Sequence, residues 1–205
     1  MERMKIRSNM PGILSAVRGF SMIELLLVIT IMALLVAVTV PAVQGLMNGR
    51  NLGDAGGVIT SQLELARQTA IARNAAVQWQ IVKVPDLRTG DPVAFRLIRS
   101  LILEPGSREW RPIGRSEWLP KSTWVDEDAA RSPMLVMQTN TSDLPSSIAA
   151  SNSIASFVIF DGAGRVGVDT TNNWLTVVGR GNTNNFITVQ IEPVSGRVRT
   201  YRPGP

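Results

Sequence analysis

A single apolar run near the N-terminus constrains this chain more than any other feature. Residues 25–43 form 19 consecutive positions without a charged side chain, close to the ~20 residues that a helix needs to cross a bilayer core. Residues 1–19 contain four basic residues and one acidic residue, a net charge of +3 out of +5 for the whole chain. The sequence therefore predicts a single-pass membrane helix over residues 20–43, with the basic segment on the cytoplasmic side.

Two ordinary explanations of such a run have to be weighed. A secretory signal peptide has a shorter apolar region of about 7 to 15 residues, followed by a small-residue cleavage site. Residues 37–42 could act as that site, and an uncleaved signal anchor is the second alternative. The residues in front of the run favour a third possibility, in which the chain is cut before the apolar run and not after it.

Gly19 is followed by the aromatic Phe20, three mostly apolar residues and Glu24, and the long apolar helix comes next. This pattern resembles the class III signal of type IV pilins and of type II secretion pseudopilins. Pro41 also falls where many members of the family carry a helix-bending proline. The resemblance implies that a prepilin peptidase removes the leader, residues 1–19, between Gly19 and Phe20, and that the new amino group of Phe20 is methylated. Because the cut precedes the apolar run, the processed chain would stay anchored.

Glu24 lies at the edge of the predicted membrane helix, where an ionised carboxylate is costly and marks a candidate functional site. The resemblance implies that it pairs with the Phe20 amino group of a neighbouring subunit during assembly. The simpler alternative is a glutamate that reaches the interface and favours the positive N-terminal end of the helix dipole.

The apolar pattern continues past the membrane at helical spacing through Leu52, Ile59, Leu63, Ala66 and Ala70, which predicts a helix to about Asn74. Residues 63–74 contain Leu-x-x-Ala-Arg-x-x-Ala-x-x-Arg-Asn, which resembles the helix end of H-type minor pseudopilins and FimT-like pilins. Residues 196–199, Gly-Arg-Val-Arg, are similar to the last hairpin of that family.

Glycine recurs at every fourth position between the two halves of this helix, with Gly56 as a fifth glycine. We call the four regular positions the glycine ladder: Gly45, Gly49, Gly53 and Gly57. Each interior glycine costs about 0.5 to 1 kcal/mol relative to alanine. The ladder therefore predicts a face for close helix packing, a segment that melts in the filament, or a loose juxtamembrane linker.

Beyond residue 74 the pattern changes to alternation, which predicts a β-rich domain over residues 75–205. Val77, Trp79 and Ile81 face one way and Gln78 and Gln80 the other. Further strands are expected at residues 93–103, 156–160, 175–178, 186–191 and 198–201, and turns between them favour an antiparallel sheet. Residues 104–153 are expected to be loops with short strands, and their tryptophans, Trp110, Trp118 and Trp124, to cover the core. The fold class is α+β, and the resemblance implies a pilin fold.

The composition argues against catalysis. The chain has no cysteine and no histidine, which removes disulfides, thiolate nucleophiles, imidazole bases and the usual zinc ligands. Residues 162–167 match Gly-x-Gly-x-x-Gly, but the polar residues that follow predict a hairpin turn and not the helix of a dinucleotide site. Residues 126–128, Asp-Glu-Asp, are expected in a solvated loop. We expect no enzymatic activity, no cofactor and no metal.

The resemblance thus implies a filament subunit that waits in the inner membrane with residues 75–205 in the periplasm and then joins a periplasmic or surface filament. The resemblance implies prepilin peptidase, other pilin subunits, an assembly ATPase, a platform protein and membrane lipid as partners. One alternative is a minor pilin that binds DNA during uptake, because Arg197, Arg199 and Arg202 form a basic end that could contact phosphates. The simpler reading of these arginines is a charged edge strand.

Overall fold

The computed structural model describes residues 20–86, 90–141 and 153–203. The chain separates into two compact units, Met1–Val43 and Gln44–Pro205. One helix, α1 (Met22–Arg73), contributes to both units. The described residues of the second unit also form nine strands and one 3-10 helix, Pro133–Val136. The strands are β1 (Val77–Asp86), β2 (Asp91–Leu103), β3 (Trp110–Trp118), β4 (Thr123–Val125), β5 (Gln138–Thr141), β6 (Ser153–Phe160), β7 (Trp174–Gly179), β8 (Asn182–Ile191) and β9 (Val198–Tyr201).

The strands form one antiparallel sheet in the order β5-β6-β1-β2-β4-β7-β8-β9, with β3 also paired to β2. Each predicted strand is present, at slightly different bounds. The distal part of α1 packs on this sheet, so the α+β class expected from the sequence is confirmed.

One stripe of α1 forms the helix side of the core, at the spacing of three or four residues that the sequence predicted. Its side chains are at most 1% exposed: Leu52, Ala55, Ile59, Leu63, Ala66 and Ala70. They join a cluster with alternate residues of the strands, among them Trp79, Ile98, Phe160 and Val189. This burial positions the last turns of the helix against the sheet.

The end of α1 is fixed by a Schellman arrangement around Asn74. The Ala75 amide donates to the Ala70 carbonyl (3.1 Å) and the Asn74 amide to the Ile71 carbonyl (3.2 Å). Asn74 has a φ of 45°, a left-handed conformation that asparagine tolerates better than most residues. Ala70 and Ala75 are both buried, which adds the apolar contact that commonly accompanies this motif.

The sheet face turned away from α1 is also covered. Gln78 and Gln80 alternate with the core residues as predicted, but both are buried, and Gln80 Oε1 accepts a hydrogen bond from Arg99 Nε at 2.7 Å. The alternation therefore separated two buried faces rather than a buried and a solvated one. A second apolar cluster lies further along the strands, at Val82, Val84, Leu97 and Ala155, with Trp118 packed against it.

The region after β2 is more regular than the expected loops with short strands. Its strand β3 is nine residues long and pairs with β2 from Leu97↔Trp118 to Leu103↔Trp110. Trp118 covers the second cluster, and the ring of Trp124 lies 5.8 Å from the guanidinium carbon of Arg96. Residues 126 and 127 are not merely solvated: Asp126 pairs with Arg131 at 2.8 Å and Glu127 with Lys83 at 2.6 Å.

Candidate functional site

The apolar part of α1 is exposed among the residues that the structure describes. Leu25, Leu34 and Val38 are 57, 64 and 74% exposed, and the most apolar window of the helix is not buried at all. Within the described residues, α1 is the one helix that is long and apolar enough to cross a membrane. An apolar surface of this extent requires an apolar environment, such as lipid or another helix.

Glu24 lies in the first turn of α1, and Phe20 lies just outside the helix. The helix begins at Met22 rather than at Phe20, and the Leu25 amide donates to the Ser21 carbonyl at 3.1 Å. Ser21 is thus the N-cap residue and Glu24 occupies the third helical position, the spacing of a capping box. The spacing offers Glu24 a local role as the alternative to pairing with a neighbour, and a test of assembly has to separate the two.

Two predicted features of this segment are only partly visible. Gly19 and the rest of the leader lie outside the described residues. The helix continues through position 41, but the side chain of Pro41 lies outside the described part, so the bend stays a prediction.

The glycine ladder is helical throughout, since α1 runs without interruption from residue 45 to residue 57. An ideal Cβ at Gly45 or Gly57 would meet nothing within 4 Å, and at Gly49 or Gly53 it would meet only the Arg202 guanidinium, at 3.7 and 4.0 Å. Packing inside the subunit therefore does not require glycine at any ladder position. Close packing between subunits and melting during assembly both stay predictions.

The fifth glycine, Gly56, is the one that the fold itself requires. An ideal Cβ there would lie 2.9 Å from Ile187 Cγ2 and 3.4 Å from its Cδ1. Ile187 is 3% exposed and belongs to the core. Gly56 therefore lets α1 approach β8 closely, a role that the sequence pattern alone did not reveal.

The motif at the end of α1 holds the β8–β9 turn. Arg67 Nε donates to the Ser195 carbonyl at 2.9 Å, and its Nη1 contacts Glu64 Oε2 at 3.4 Å. The other oxygen of Glu64, Oε1, accepts from the Val198 amide at 3.3 Å. Two charged residues one turn apart thus fix the start of β9, which gives a structural reason for the arginine in this motif.

The glycine-rich turn after β6 docks on the same helix end. Gly164 and Gly196 have φ values of 76° and 63°. An ideal Cβ at Gly196 would lie 2.1 Å from the Gly164 carbonyl oxygen, and one at Gly162 would lie 2.6 Å from Asn74 Oδ1. The turn leads into β7 and opens no helix, so its rejection as a dinucleotide loop is confirmed.

Asp161 organises this turn. Its Oδ1 accepts from the amides of Ala163 and Arg165, both at 2.9 Å, and its Oδ2 pairs with Arg165 Nε at 2.9 Å. The hydrogen bond from the Arg165 amide is the main cause that lowers the pKa of Asp161 below its usual value of 3.8.

The three C-terminal arginines lie in different surroundings. Arg197 is exposed in the turn before β9, Arg199 lines a shallow cleft with Asn173 and Gln190, and Arg202 lies against α1, where its Nη2 contacts the Gly49 carbonyl at 3.5 Å. Contact of these residues with DNA stays a prediction, and the geometry does not combine the three guanidinium groups in one cleft.

The solved structures that match this chain include two pilin-like proteins. The type IV minor pilin FimU of Pseudomonas aeruginosa has a TM-score of 0.40 and 14% identity, over 74% of this chain and 97% of that one. The minor pseudopilin EPSH from the type II secretion system of Vibrio cholerae has a TM-score of 0.43 and 14% identity, over 76% and 96%. No protein-family model and no curated protein sequence matches the chain.

Proposed function

We propose that this protein is a membrane-anchored, pilin-like subunit of a filament of the type IV pilus or type II secretion pseudopilus kind. The observation that carries the proposal is the division of α1 into an apolar part, exposed and preceded by Glu24, and a distal part whose stripe is buried under the sheet. A helix built this way anchors a folded domain and leaves an apolar surface for other helices.

The proposal includes processing and assembly. Prepilin peptidase cuts between Gly19 and Phe20, the Phe20 amino group is methylated, and an assembly ATPase with a platform protein extracts the subunit from the inner membrane. The domain formed by the sheet lies in the periplasm before extraction. These steps are supported by the Gly-Phe-x-x-x-Glu motif at the start of the helix and by the apolar length that follows it.

Glu24 gives the sharpest test, because its two roles respond differently to substitution. Glutamine keeps the hydrogen-bonding capacity of a capping box, which accepts either Glu or Gln at this position, but it has no charge. Valine removes both properties. If the carboxylate pairs with the Phe20 amino group of a neighbour, Glu24→Gln and Glu24→Val should both lower incorporation into filaments severely.

The assay compares two fractions of the same cells: membrane protein that resists carbonate extraction, and chain that pellets with filaments. Both variants should remain in the membrane fraction, since each removes a charge from an apolar helix. Ser21→Ala serves as the control that weakens the N-cap alone. Wild-type incorporation of Glu24→Gln would show that charge pairing is not needed and would refute this part of the proposal.

A further inference from the structure

We propose that the folded domain docks on the surface of an anionic bilayer through a cluster of four cationic side chains, before it leaves the membrane. The inference rests on the membrane anchoring proposed above and adds a second contact with lipid, outside the apolar helix. The four residues, which we call the basic rim, are Arg50, Lys121, Arg180 and Arg202, and all are exposed.

Short contacts bring these residues to one end of the domain. Asn51, next to Arg50, donates through Nδ2 to the Lys121 carbonyl at 3.4 Å. The Arg180 amide donates to the carbonyl of Ser122, the residue after Lys121, at 2.9 Å. Three separate segments, the start of the distal helix, the turn before β4 and the turn between β7 and β8, therefore meet here.

Arg202 completes the rim from the C-terminal side. It lines an open cleft of about 580 Å³ with Arg50, Asp54 and Asn185, and the floor of this cleft is formed by Gly45, Gly49 and Gly53. Asp54 offsets one of the positive charges. The ladder glycines add no side chains to this cleft, which leaves room for phosphate groups beside the Arg50 and Arg202 guanidinium groups.

The rim lies at the end of the domain where the chain emerges from the apolar run. Arg50 is seven residues after Val43, and even a fully extended segment of that length reaches only about 25 Å. Arg50 therefore stays within about 25 Å of the end of a membrane helix over residues 25–43. Cations held this close to an anionic surface are attracted to it, and salt weakens the attraction.

The occupant we assign is a surface of anionic phospholipid headgroups and not a single bound anion. The four cations come from separate segments, and only Arg50 and Arg202 line the open cleft, whereas one discrete anion would need a converging set of donors. A broad array of phosphates suits such an arrangement.

The experiment uses the full chain in lipid nanodiscs made of phosphatidylcholine alone or of an equal mixture with phosphatidylglycerol. Amide hydrogen exchange is followed in segments 119–123 and 180–185. We expect exchange there to slow by about tenfold or more in the anionic discs, because each cation near such a surface favours docking by about fivefold. Raising the salt from about 0.1 M to about 1 M shortens the Debye length from about 10 to about 3 Å and should abolish the effect.

Two variants with equal loss of charge locate the effect. The first replaces all four rim residues by glutamine and should lose the protection. The second removes four exposed arginines of the helix end and of the β3 region and should keep it: Arg73→Gln, Arg108→Gln, Arg111→Gln and Arg115→Gln. Unfolding followed by tryptophan fluorescence should show that both variants are folded.

Three results would overturn the proposal. Equal exchange in neutral and anionic discs would mean that the rim does not dock, and equal loss of protection in both variants would mean that overall charge, not the rim, is responsible. Protection by inorganic phosphate in neutral discs would indicate a discrete anion site instead of a surface. Resistance to carbonate extraction, measured in parallel, shows separately whether the membrane anchoring itself holds.

Discussion

Gly56 and Gly57 are neighbours in α1 with opposite surroundings, so alanine should stabilise the domain at Gly57 but not at Gly56. At Gly57 an ideal Cβ meets nothing within 4 Å, and the higher helix propensity of alanine should raise the free energy of unfolding by about 1 kcal/mol. At Gly56 the same gain is opposed by the approach of 2.9 Å to Ile187 Cγ2. Overpacking of a core costs about 1 to 3 kcal/mol, so Gly56→Ala should be neutral to about 2 kcal/mol destabilising.

Urea unfolding of the full chain in detergent micelles measures this difference. All five tryptophans lie between residues 79 and 174, so their fluorescence reports on the sheet domain. With a slope of about 1 to 3 kcal/mol per molar urea, the two midpoints should be separated by roughly 1 M. Adding Ile187→Ala should reduce the cost of Gly56→Ala, because the methyl groups in its way are gone, and this coupling is read from the double-mutant cycle.

Equal midpoints for the two glycine variants would refute the reasoning, since they would mean that α1 does not approach β8 at Gly56 as closely as the structure has it. Stabilisation by Gly56→Ala would do so more strongly. A destabilising Gly57→Ala would instead show that other atoms of the folded monomer pack against this side of the helix.

Three further predictions concern the helix end and the turns docked on it, and urea unfolding measures each. Gly196→Ala should lower the free energy of unfolding by about 2 to 5 kcal/mol, of which the left-handed φ contributes about 1 to 2 and the clash with the Gly164 carbonyl the rest. Gly90→Ala is the control, because Gly90 has a φ of 65° in open space and should lose only the contribution of the backbone conformation. Equal losses for the two variants would contradict the clash. Asn74→Ala should lower the free energy of unfolding by about 1 kcal/mol because the φ of residue 74 is positive, whereas Asn74→Gly should be close to wild type. Equal losses for the two variants would mean that the asparagine side chain, and not the backbone conformation, provides the stability. The fold lowers the pKa of Asp161, so its carboxylate stabilises the protein above pH 3.8 and this contribution is lost as the pH falls below that value. Asp161→Asn should therefore lower the urea midpoint at pH 7 and approach the wild-type midpoint at acidic pH. A difference between the two midpoints that is constant with pH would contradict the assignment.

The helix and the central strands could be predicted because their burial repeats along the chain. Leu52, Ile59 and Leu63 recur at helical spacing, which indicates a helix. Val77 and Trp79 alternate with polar residues, which indicates a strand. Whether the opposite face, with Gln78 and Gln80, is solvated or buried could not be judged this way, since burial of a polar residue depends on whether a partner such as Arg99 is present.

Strand β3 escaped prediction for a physical reason. It is mostly exposed and contains Pro112, Gly114 and Ser116, so neither apolar alternation nor high strand propensity marks it. Its position depends on pairing with the long strand β2, whose residues 97–103 form the ladder with β3. A strand that is defined mainly by its neighbour leaves little signal in its own sequence.

The roles of individual glycines also needed the fold. Gly56 lies outside the regular four-residue spacing of the ladder, yet it is the helix glycine in contact with β8, through Ile187, 131 positions away in the chain. Likewise, the Gly-x-Gly turn could be rejected as a nucleotide loop from its sequence, but its docking against Asn74 and Ile71 depends on how the sheet folds back on the helix.

The most direct test of the proposed filament role is the intact mass of the chain recovered from purified filaments. The account predicts a chain that begins at Phe20, with one added methyl group, and no trace of residues 1–19. A filament-bound chain that retained Met1, or one that began after Ala42, would contradict it, and so would absence of the chain from the filaments while it accumulates in the membrane.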